Sequence, residues 1–427
     1  MISKASASEC FVYITLPGDT TPVTAGRFVL TADRRGTPVG RFVYAQSYAR
    51  RPDAVDIDPV ELKLGRGAFE TTNLKGIFGA LRDAGPDSWG RHVIERNVGG
   101  QLGELDYLLH SPDDRAGALS FGLGVKPPAP TRTFNKTLAL AKLQALADAV
   151  VKDQEVPGDS TEERVRSLRL LATSMGGARP KAVVEDEDGL WLAKFGRLDD
   201  RWSNARVEHA MLVLARRCGI TSAESRVVTV GGRDVLLVRR FDREKAGSGY
   251  RRARMVSGLT LLRAEDTYLS RDRWSYIGLV EELRRVSATP NKDAAELFRR
   301  MCLNALITNI DDHPRNHAII AWDRGWKLSP AYDLTPMNLV SLERRDLAMI
   351  CGNEGRRANA MNIRSQAARF QLESAEAERV VEGMAETIRA SWYEIARGEG
   401  VSADDCERIK GAFVYPGFFL SEIQGHE

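Results

Sequence analysis

The sequence has 427 residues, of which 43% are hydrophobic and 28% are charged, and its net charge is +3. This length exceeds one ordinary core and predicts two or three domains of a water-soluble globular protein. The small net charge does not point to binding of nucleic acid or membrane surfaces. Because no run of about 18 apolar residues is present, we expect a cytoplasmic protein without a membrane segment.

The cysteines are odd in number and scattered, and none of them forms a CxxC pair. This pattern indicates unpaired, mostly buried thiols in a reducing compartment, rather than a disulfide framework or a zinc site. The five residues are Cys10, Cys218, Cys302, Cys351 and Cys406.

Residues 1–125 are predicted to form a β-rich N-terminal subdomain. The runs FVYITL and RFVYAQSY have high β-propensity, and TADRRGTPVG resembles a turn between two strands. DAGPDSWGRHVIERN then has the pattern of a helix that is entered after a turn. Residues 126–165 are predicted to be a linker and a helix, because the proline-rich VKPPAPTRT precedes the helically spaced TLALAKLQALADAVV.

Residues 166–243 are predicted to alternate short strands with a helix. SMGGARPK forms a glycine-containing loop before the strands AVVE and LWLAKF, which are joined by the turn DEDG. NARVEHAMLVLARRCGI has one apolar helical face, and the strands RVVTV and VLLVRRF follow, joined by GGRD. Residues 244–427 are predicted to be mainly helical, interrupted by NIDDHPRNHAII and KLSPAYDLTP.

The interruption contains three polar residues that suit one kind of chemistry. Asp311 and Asn316 lie in a loop that Pro314 keeps from being a regular helix. A predicted hairpin, HAIIAW–DRG–WKLSPAY, would bring Asp333 back towards them. An aspartate can deprotonate an attacking hydroxyl, while an asparagine and a second carboxylate can hold Mg²⁺ on nucleotide phosphates.

The spacing of these residues is that of the protein-kinase catalytic loop D-x-x-x-x-N with its later metal-binding aspartate. It selects Asp311 over Asp312, because only Asp311 has an asparagine at the fifth position. The agreement is partial, since Tyr332-Asp333-Leu334 stands in place of D-F-G.

Two simpler interpretations of the same segment stay open. Its polar residues could merely cap and solvate a turn. His313 and His317 are four residues apart and could bind zinc, but Pro314 interrupts the helix that such a pair needs and no glutamate follows His313.

The upstream segments add the groups that phosphoryl transfer needs around the phosphates. Glycines in SMGGARPK allow backbone N–H groups to approach a phosphate, and Lys194 lies on the second strand after that loop. Glu208, on the next helix, could pair with Lys194. RRFD (239–242) could form a hinge that holds adenine. Each feature alone is weak, and their order along the chain is the more specific signal.

These motifs resemble the HipA family of bacterial serine/threonine kinases, the toxins of type II toxin–antitoxin systems. The resemblance rests on SMGGARPK, LLVRRFDR, NIDDHPRNHAII and LSPAYDLTP in that order, with PDSWGRHVIER and DRAGALSFG in the N-terminal part. It implies an α+β, two-lobed protein-kinase-like fold with a β-rich N-terminal subdomain and a mainly helical C-terminal lobe.

The resemblance also implies ATP and Mg²⁺ as cofactors and assigns roles by position. Asp311 would be the catalytic base, Asn316 and Asp333 the Mg²⁺ ligands, and Ser174 the autophosphorylated serine. A phosphate on Ser174 would add about two negative charges beside the ATP phosphates and so expel the loop. Supporting residues would be Glu208 and Asp242. The nucleotide-binding residues would be Ser174, Met175, Gly176, Gly177, Ala178, Arg179, Lys181, Lys194, Arg239, Arg240, Phe241, His313, Asn316, Tyr332 and Asp333.

The expected partners follow from the same resemblance. Family members act on a protein substrate, in known cases an aminoacyl-tRNA synthetase, and bind a helix-turn-helix antitoxin of the HipB kind that represses the operon. We identify no helix-turn-helix in this sequence, so we expect DNA contact mainly through the partner.

Two other functions would use the same residues. The first is a small-molecule phosphotransferase of the aminoglycoside or choline kinase type, which is weakly disfavoured because no strongly acidic segment follows Asp333. The second is a catalytically silent co-repressor that binds nucleotide without turnover. The joint presence of Lys194, Asp311, Asn316 and Asp333 argues against this second function.

Overall fold

The structure is a computed structural model that describes residues 8–98, 102–130, 134–155, 171, 179–338 and 341–420. The chain contains both helices and sheets, as the sequence predicts, and forms two compact units. The units interleave along the chain, because each is assembled from three separate stretches. The first unit consists of Met1–Arg197, Arg239–Val256 and Ile320–Gly325, and the second of Leu198–Val238, Ser257–Ile319 and Trp326–Glu427.

An antiparallel sheet with the order β4-β3-β2-β1-β5 forms the N-terminal part of the first unit. Side chains that alternate along its strands enter the core, among them Val12, Ile14, Phe28 and Phe42, which are fully buried. The strands are β1 Glu9–Thr15, β2 Pro22–Ala32, β3 Pro38–Tyr44, β4 Ala68–Thr71 and β5 Leu119–Gly122.

The remaining strands of the first unit include a short ladder that bears two candidate lysines. In this ladder β6 pairs in parallel with β7, and β7 pairs with β8 in antiparallel register. A separate hairpin, β11–β12, follows later in the chain. The bounds are β6 Asn135–Lys136, β7 Lys181–Glu185, β8 Leu190–Phe195, β11 Arg243–Ala246, β12 Gly249–Arg252 and β13 Arg254–Ser257.

Short helices connect the strands of the first unit. The helix that begins at Ser88 buries Trp89, Val93 and Ile94 on one face, which is the amphipathic pattern of a helix against a core. The helices are α1 Gln46–Ala49, α2 Gly79–Asp83, α3 Ser88–Val98, α4 Glu104–His110 and α5 Leu140–Val151.

The second unit is built mainly from helices. Ser275 caps one of them by accepting the N–H of Gly278 at 3.1 Å. The helices are α6 Asn204–Arg217, α7 Gly258–Leu262, α8 Tyr276–Val286, α9 Pro290–Leu306, α10 Ala360–Arg364, α11 Ser374–Gly398 and α12 Ala403–Ile409. The strands β9 Ser225–Val230 and β10 Arg233–Arg239 form a hairpin, and β14 Ala318–Ala321 and β15 Lys327–Leu328 follow α9.

The longer periodic segments have the predicted secondary structure, and the short elements account for the differences. RFVYAQSY is a strand only to Tyr44, since Gln46–Ala49 forms helix α1. The hairpin β11–β12 interrupts a region that was expected to turn helical after residue 244. Short strands with exposed charged residues have little periodicity to reveal them.

All five cysteines are unpaired, and four of them are buried, as the sequence predicts. Burial raises the pKa of the Cys10 and Cys351 thiols to about 12, so these side chains stay protonated and unreactive at neutral pH. Within the part of the chain that the structure describes, no helix combines the length and the hydropathy that a membrane crossing requires.

Candidate functional site

The candidate catalytic loop follows α9 in the second unit. After Leu306 the chain leaves the helix through Thr308, whose φ of +56° is in the left-handed region. Asn309 is tied back to the helix, because its Nδ2 donates to Asn304 Oδ1 at 3.0 Å. Pro314–Asn316 forms a single 3-10 turn before β14. The segment is therefore a loop held at both ends, in agreement with the effect expected of Pro314.

Asp312 is the buried anchor of this loop. Its Oδ2 lies 2.7 Å from His317 Nε2 and accepts a hydrogen bond from the hydroxyl of Tyr276. Asn304 Nδ2 donates to the same hydroxyl at 3.1 Å. Burial and the nearby Asp312 raise the pKa of Tyr276 well above its ordinary value, so the phenol remains a donor. The network joins the loop to α8 and α9.

Asp311, in contrast, is exposed. The His313 N–H donates to the Asp311 carbonyl at 2.8 Å, which turns the backbone immediately after it. Desolvation raises the pKa of the Asp311 carboxyl, as do the negative charges of Asp333 and Asp312, whereas His313 and Arg271 act to lower it. The net effect is a raised pKa, which suits a group that must accept a proton.

Asn316 and Asp333 are the two predicted Mg²⁺ ligands, and both belong to the second unit. Asn316 is buried, and its Nδ2 donates to the Asp311 carbonyl at 3.4 Å, which leaves Oδ1 as the amide atom able to coordinate a cation. Asp333 has a φ of +60°, a conformation that L-residues seldom adopt. The hydroxyl of Tyr332 donates to the Arg315 carbonyl at 2.9 Å and so ties the residue before Asp333 to the loop.

This donor set fits Mg²⁺ better than a metal held by protein ligands alone. Among the described residues no group of three or more His, Cys, Asp or Glu side chains could hold a metal ion. Mg²⁺ commonly uses one or two carboxylates and completes its shell with water and substrate phosphates. One carboxylate from Asp333 and one amide oxygen from Asn316 are ligands of the kind that this requirement names. The zinc interpretation of His313 and His317 stays an alternative, although no further His, Cys, Asp or Glu completes a three-ligand group with them among the described residues.

His313 has an unsatisfied polar atom beside the loop. Its ring packs edge-on against Trp274 with centroids 6.2 Å apart. Its Nδ1 is buried and has no hydrogen-bond partner among the described residues. A buried polar atom without a partner is uncommon in folded proteins, so this nitrogen is a candidate ligand contact. The predicted place of His313 in the nucleotide site stays a prediction.

The first unit contains the other predicted phosphate-binding residues. Lys181 and Lys194 lie directly opposite each other on β7 and β8. Lys194 is half-buried, but Lys181 is only 1% exposed, and its Nζ lies 2.6 Å from Asp87 Oδ2. Lys181 is therefore a buried strand residue with a carboxylate partner. Arg179 is exposed, and the predicted residues outside the described part of the chain are Ser174, Met175, Gly176, Gly177 and Ala178.

The predicted hinge is held by a buried charge network in the first unit. Arg240 donates from its backbone N–H to the Leu190 carbonyl at 2.9 Å and from its guanidinium to both oxygens of Asp242. Asp242 Oδ2 also accepts the N–H of Gly117 at 2.9 Å. Burial acts to raise the pKa of Asp242, but Arg240 and Arg243 hold it well below the usual range. The network links DRAGALSFG to RRFD.

The other hinge and supporting residues are placed as follows. A guanidinium nitrogen of Arg239 donates to the Asp188 carbonyl at 3.1 Å, and Phe241 is half-buried. Glu208 is buried within α6 of the second unit. Its predicted pairing with Lys194 stays a prediction.

Sequence reasoning gave no role to several residues that hold these segments. Tyr276 and His317 fix Asp312. Asp87 and Trp89 both contact Lys181, the last residue of the glycine motif. Asp87 and Trp89 lie in the sequence motif PDSWGRHVIER, and that motif was the only sign in the sequence that these two residues matter. Nothing in the sequence pattern could have assigned their partners, which lie about ninety residues away in the chain.

Comparisons with known proteins identify the family of this chain. The family model described as the HipA-like C-terminal domain matches residues 173–392. A curated protein named putative kinase Y4mE, from Sinorhizobium fredii (strain NBRC 101917 / NGR234), is 32% identical over 130 residues. That alignment spans 30% of this chain and 31% of the relative, so it covers under a third of the relative's length.

A solved structure extends the likeness in fold to most of the chain. The HipA chain from Shewanella oneidensis MR-1, solved with HipB and operator DNA, superposes with a TM-score of 0.69 at 17% sequence identity and covers 94% of each chain. The family model spans more than half of the residues and includes the candidate catalytic loop, Lys194 and Asp333. The chain therefore belongs to the HipA-like C-terminal domain family, as the sequence motifs indicated.

Proposed function

We propose that this chain is an ATP-dependent serine/threonine protein kinase and the toxin of a type II toxin–antitoxin pair. The observation that carries the proposal is the division of work between two adjacent aspartates. Asp312 is buried and bound to His317, whereas Asp311 is exposed and has a raised pKa. A loop that fixes one carboxylate in order to present its neighbour is suited to general base catalysis.

The proposed reaction transfers the γ-phosphoryl group of ATP to a protein hydroxyl. The hydroxyl oxygen forms a bond to the γ-phosphorus, and Asp311 accepts the hydroxyl proton. The bond between the γ-phosphorus and the β,γ-bridging oxygen breaks, and ADP leaves with that electron pair. In such a reaction the protein contributes mainly position and charge.

The other residues would position the nucleotide. Asn316 Oδ1 and the Asp333 carboxylate would hold Mg²⁺, which neutralises charge on the phosphates when it is bound. Lys194 would bind the phosphates, and His313 would contact the nucleotide through its unsatisfied nitrogen. The glycine motif of residues 174–181 and the backbone of residues 239–241 would complete the site, as the family resemblance implies.

The proposed partners follow from family membership. The Shewanella HipA was solved together with HipB and its operator DNA, which supports a HipB-like antitoxin for this chain and contact with DNA through that partner. The substrate would be a protein in the cytoplasm, and an aminoacyl-tRNA synthetase is the first target to test. Ser174 would be phosphorylated by the chain itself.

The proposal is tested with purified protein, Mg²⁺ and ATP labelled on its γ-phosphate. We expect label on the chain itself, located at Ser174 by mass spectrometry, and no label with Asp311→Asn. Asp404→Asn, an exposed aspartate in the first turn of α12, is the matched control and should retain activity.

Three outcomes would contradict the proposal in different ways. Transfer only to an added aminoglycoside or choline would favour a small-molecule phosphotransferase. ATP binding without transfer to any protein would favour a silent co-repressor. Full activity in Asp311→Asn would remove the assigned base.

A further inference from the structure

Two adjacent large apolar side chains are almost fully exposed between α7 and α8 of the second unit. Tyr268 is 81% exposed and Leu269 is 92% exposed. They are the first two residues of the 3-10 turn Tyr268–Arg273. Single exposed apolar residues are common on protein surfaces, so the surroundings of this pair decide whether it forms a binding surface.

The backbone that carries the two side chains is held in place. The indole Nε1 of Trp274, a buried residue, donates to the Glu265 carbonyl at 3.1 Å and so closes the segment 265–274. A guanidinium nitrogen of Arg356 donates to the Arg271 carbonyl at 2.5 Å. The exposed pair therefore lies on an ordered turn, and a ligand that covers it does not have to order the backbone first.

The same segment is attached to the candidate catalytic loop at two points. The Trp274 ring packs edge-on against His313, with centroids 6.2 Å apart. The Asp266 carboxylate lies 3.3 Å from Arg315 Nε. His313 and Arg315 follow the proposed base, Asp311, by two and four residues. The turn that presents the exposed pair is therefore part of the surface around the proposed base.

Arg271 connects the exposed pair with this surface. Its guanidinium lies over two rings, 5.5 Å from the centroid of Tyr268 and 5.6 Å from the centroid of Trp274, which is a cation–π arrangement. It is also near enough to Asp311 to act on that carboxyl electrostatically. A cation thus lies between the exposed aromatic ring and the proposed base.

The arginines of the turn are available to an acidic partner. Arg273 is exposed, and among the described residues neither Arg271 nor Arg273 forms an ion pair with a carboxylate. The aspartates of the segment lie near other arginines, since Asp266 pairs with the catalytic loop and Asp272 lies 3.6 Å from Arg356. The surface therefore combines an apolar pair with two cations that lack an acidic partner.

We propose that Tyr268, Leu269, Arg271 and Arg273 form the surface that binds the acceptor segment of the protein substrate. This inference rests on the proposed function and adds the chemistry of the substrate. The segment carries an apolar side chain and an acidic side chain close to the hydroxyl that receives the phosphoryl group. The apolar side chain covers the exposed pair, and the acidic side chain pairs with an arginine of the turn.

The test uses a peptide library with one fixed serine and degenerate flanking positions, together with Mg²⁺ and labelled ATP. We expect the wild type to select peptides that have an apolar and an acidic residue close to the serine. Leu269→Ala should raise the KM for a selected peptide about tenfold, the effect of one apolar side chain that is no longer covered. The Kd for a fluorescent ATP analogue should not change.

Leu138→Ala is the matched control. Leu138 is 96% exposed and belongs to the first unit, so the substitution removes the same side chain from a surface that the inference does not use. We expect an unchanged KM for the selected peptide. Both leucines are exposed, so neither variant should lose appreciable stability.

Arg273→Glu tests the charge of the surface. We expect this variant to raise the KM for the selected acidic peptide about threefold, the order of one exposed ion pair. For the same peptide with its acidic residue replaced by lysine, the KM should fall relative to the wild type. A purely structural role of Arg273 would not reverse the preference.

The outcomes separate the inference from the proposed function. If the wild type transfers no phosphate to itself or to any protein, the proposed function fails and the inference fails with it. If the wild type labels itself but phosphorylates no library peptide, or selects peptides without apolar and acidic residues, only the inference is overturned.

Other occupants of the surface would also be recognised. An unchanged peptide KM in Leu269→Ala overturns the inference. A raised Kd for the ATP analogue in that variant would then assign the turn to the nucleotide. A wild-type dimer that Leu269→Ala dissociates, measured by sedimentation, would assign it to a second copy of the chain.

Discussion

The carboxylate of Asp312 lies 2.7 Å from His317 Nε2, across the 3-10 turn that the catalytic loop makes between them. The same carboxylate accepts a hydrogen bond from Tyr276. Asp312→Ala would leave both buried donors without an acceptor, so we expect a loss of about 3 kcal/mol in the free energy of unfolding.

Asp311→Ala is the comparison for that prediction. The Asp311 side chain is exposed, so the alanine variant should change the free energy of unfolding by no more than about 0.5 kcal/mol. Phosphoryl transfer should nevertheless be lost in this variant. Urea unfolding of both variants measures the difference. Equal stability of the two variants would show that Asp312 does not anchor the loop.

The left-handed backbone of Asp333 gives a second prediction. Because its φ is +60°, Asp333→Val should be less stable than Asp333→Gly by about 1–2 kcal/mol. Both variants lose the carboxylate, so the comparison isolates the backbone, and both should be inactive. Denaturant unfolding of the two proteins provides the measurement, and a valine variant as stable as the glycine variant would contradict the assigned conformation.

The raised pKa of Asp311 predicts a pH dependence of stability. A carboxyl whose pKa is raised on folding stabilises the folded state below its ordinary value of 3.8, and that contribution is lost as pH rises through the folded pKa. The stability of the wild type relative to Asp311→Asn should therefore fall as pH rises above about 4 and through the raised pKa of the folded protein.

Two neighbours should move this transition in opposite directions. His313→Gln removes a group that lowers the pKa of Asp311, and Asp333→Asn removes one that raises it. Titration of the Asp311 carboxyl by NMR should give a higher pKa in the first variant and a lower one in the second. A shift in the same direction for both would contradict the electrostatic account.

A glycine beside the catalytic loop provides the fourth prediction. A Cβ on Gly258 would lie 2.6 Å from the Pro314 carbonyl oxygen, and the Gly258 N–H donates to the His317 carbonyl at 2.7 Å. Gly258→Ala should therefore displace the loop, lower the free energy of unfolding by about 1–3 kcal/mol and reduce phosphoryl transfer.

Gly383→Ala is the control for that substitution. This exposed position in α11 has no atom within 4 Å of an added Cβ. The alanine should stabilise the helix by about 0.5–1 kcal/mol and leave activity unchanged. Circular dichroism melts and a transfer assay on both variants give the comparison, and a fully active Gly258→Ala would contradict the proposed contact.

The sequence predicted the parts of the site that depend on local spacing. The loop of Asp311 and Asn316, the strand that bears Lys194 and the long helices follow from residue order and periodicity. Residues separated by tens of positions could not be paired in this way. Asp312 with Tyr276, and Lys181 with Asp87, are contacts of tertiary packing, and an isolated charged residue does not reveal its distant partner.

The class of the fold was predicted, whereas the passage of the chain between the two units leaves no signal in the sequence. The resemblance to the HipA family implied an α+β fold, whereas composition has no feature at residues 198, 239 or 257, where the chain passes between the units. Which stretches of the chain belong to the same unit depends on tertiary packing, and local propensity does not contain that information.

The interleaved units have a consequence for synthesis on the ribosome. Within the second unit, His209 Nε2 lies 3.0 Å from Glu399 Oε2, and the Ser203 N–H donates to Asp405 at 3.2 Å. These partners are translated about two hundred residues apart. Helix α6 therefore lacks these hydrogen-bond partners until α11 and α12 have left the ribosome. A nascent chain interrupted before Glu399 lacks the partners of His209 and Ser203, so the unit that contains Asp311 is completed only after almost all of the chain has been translated.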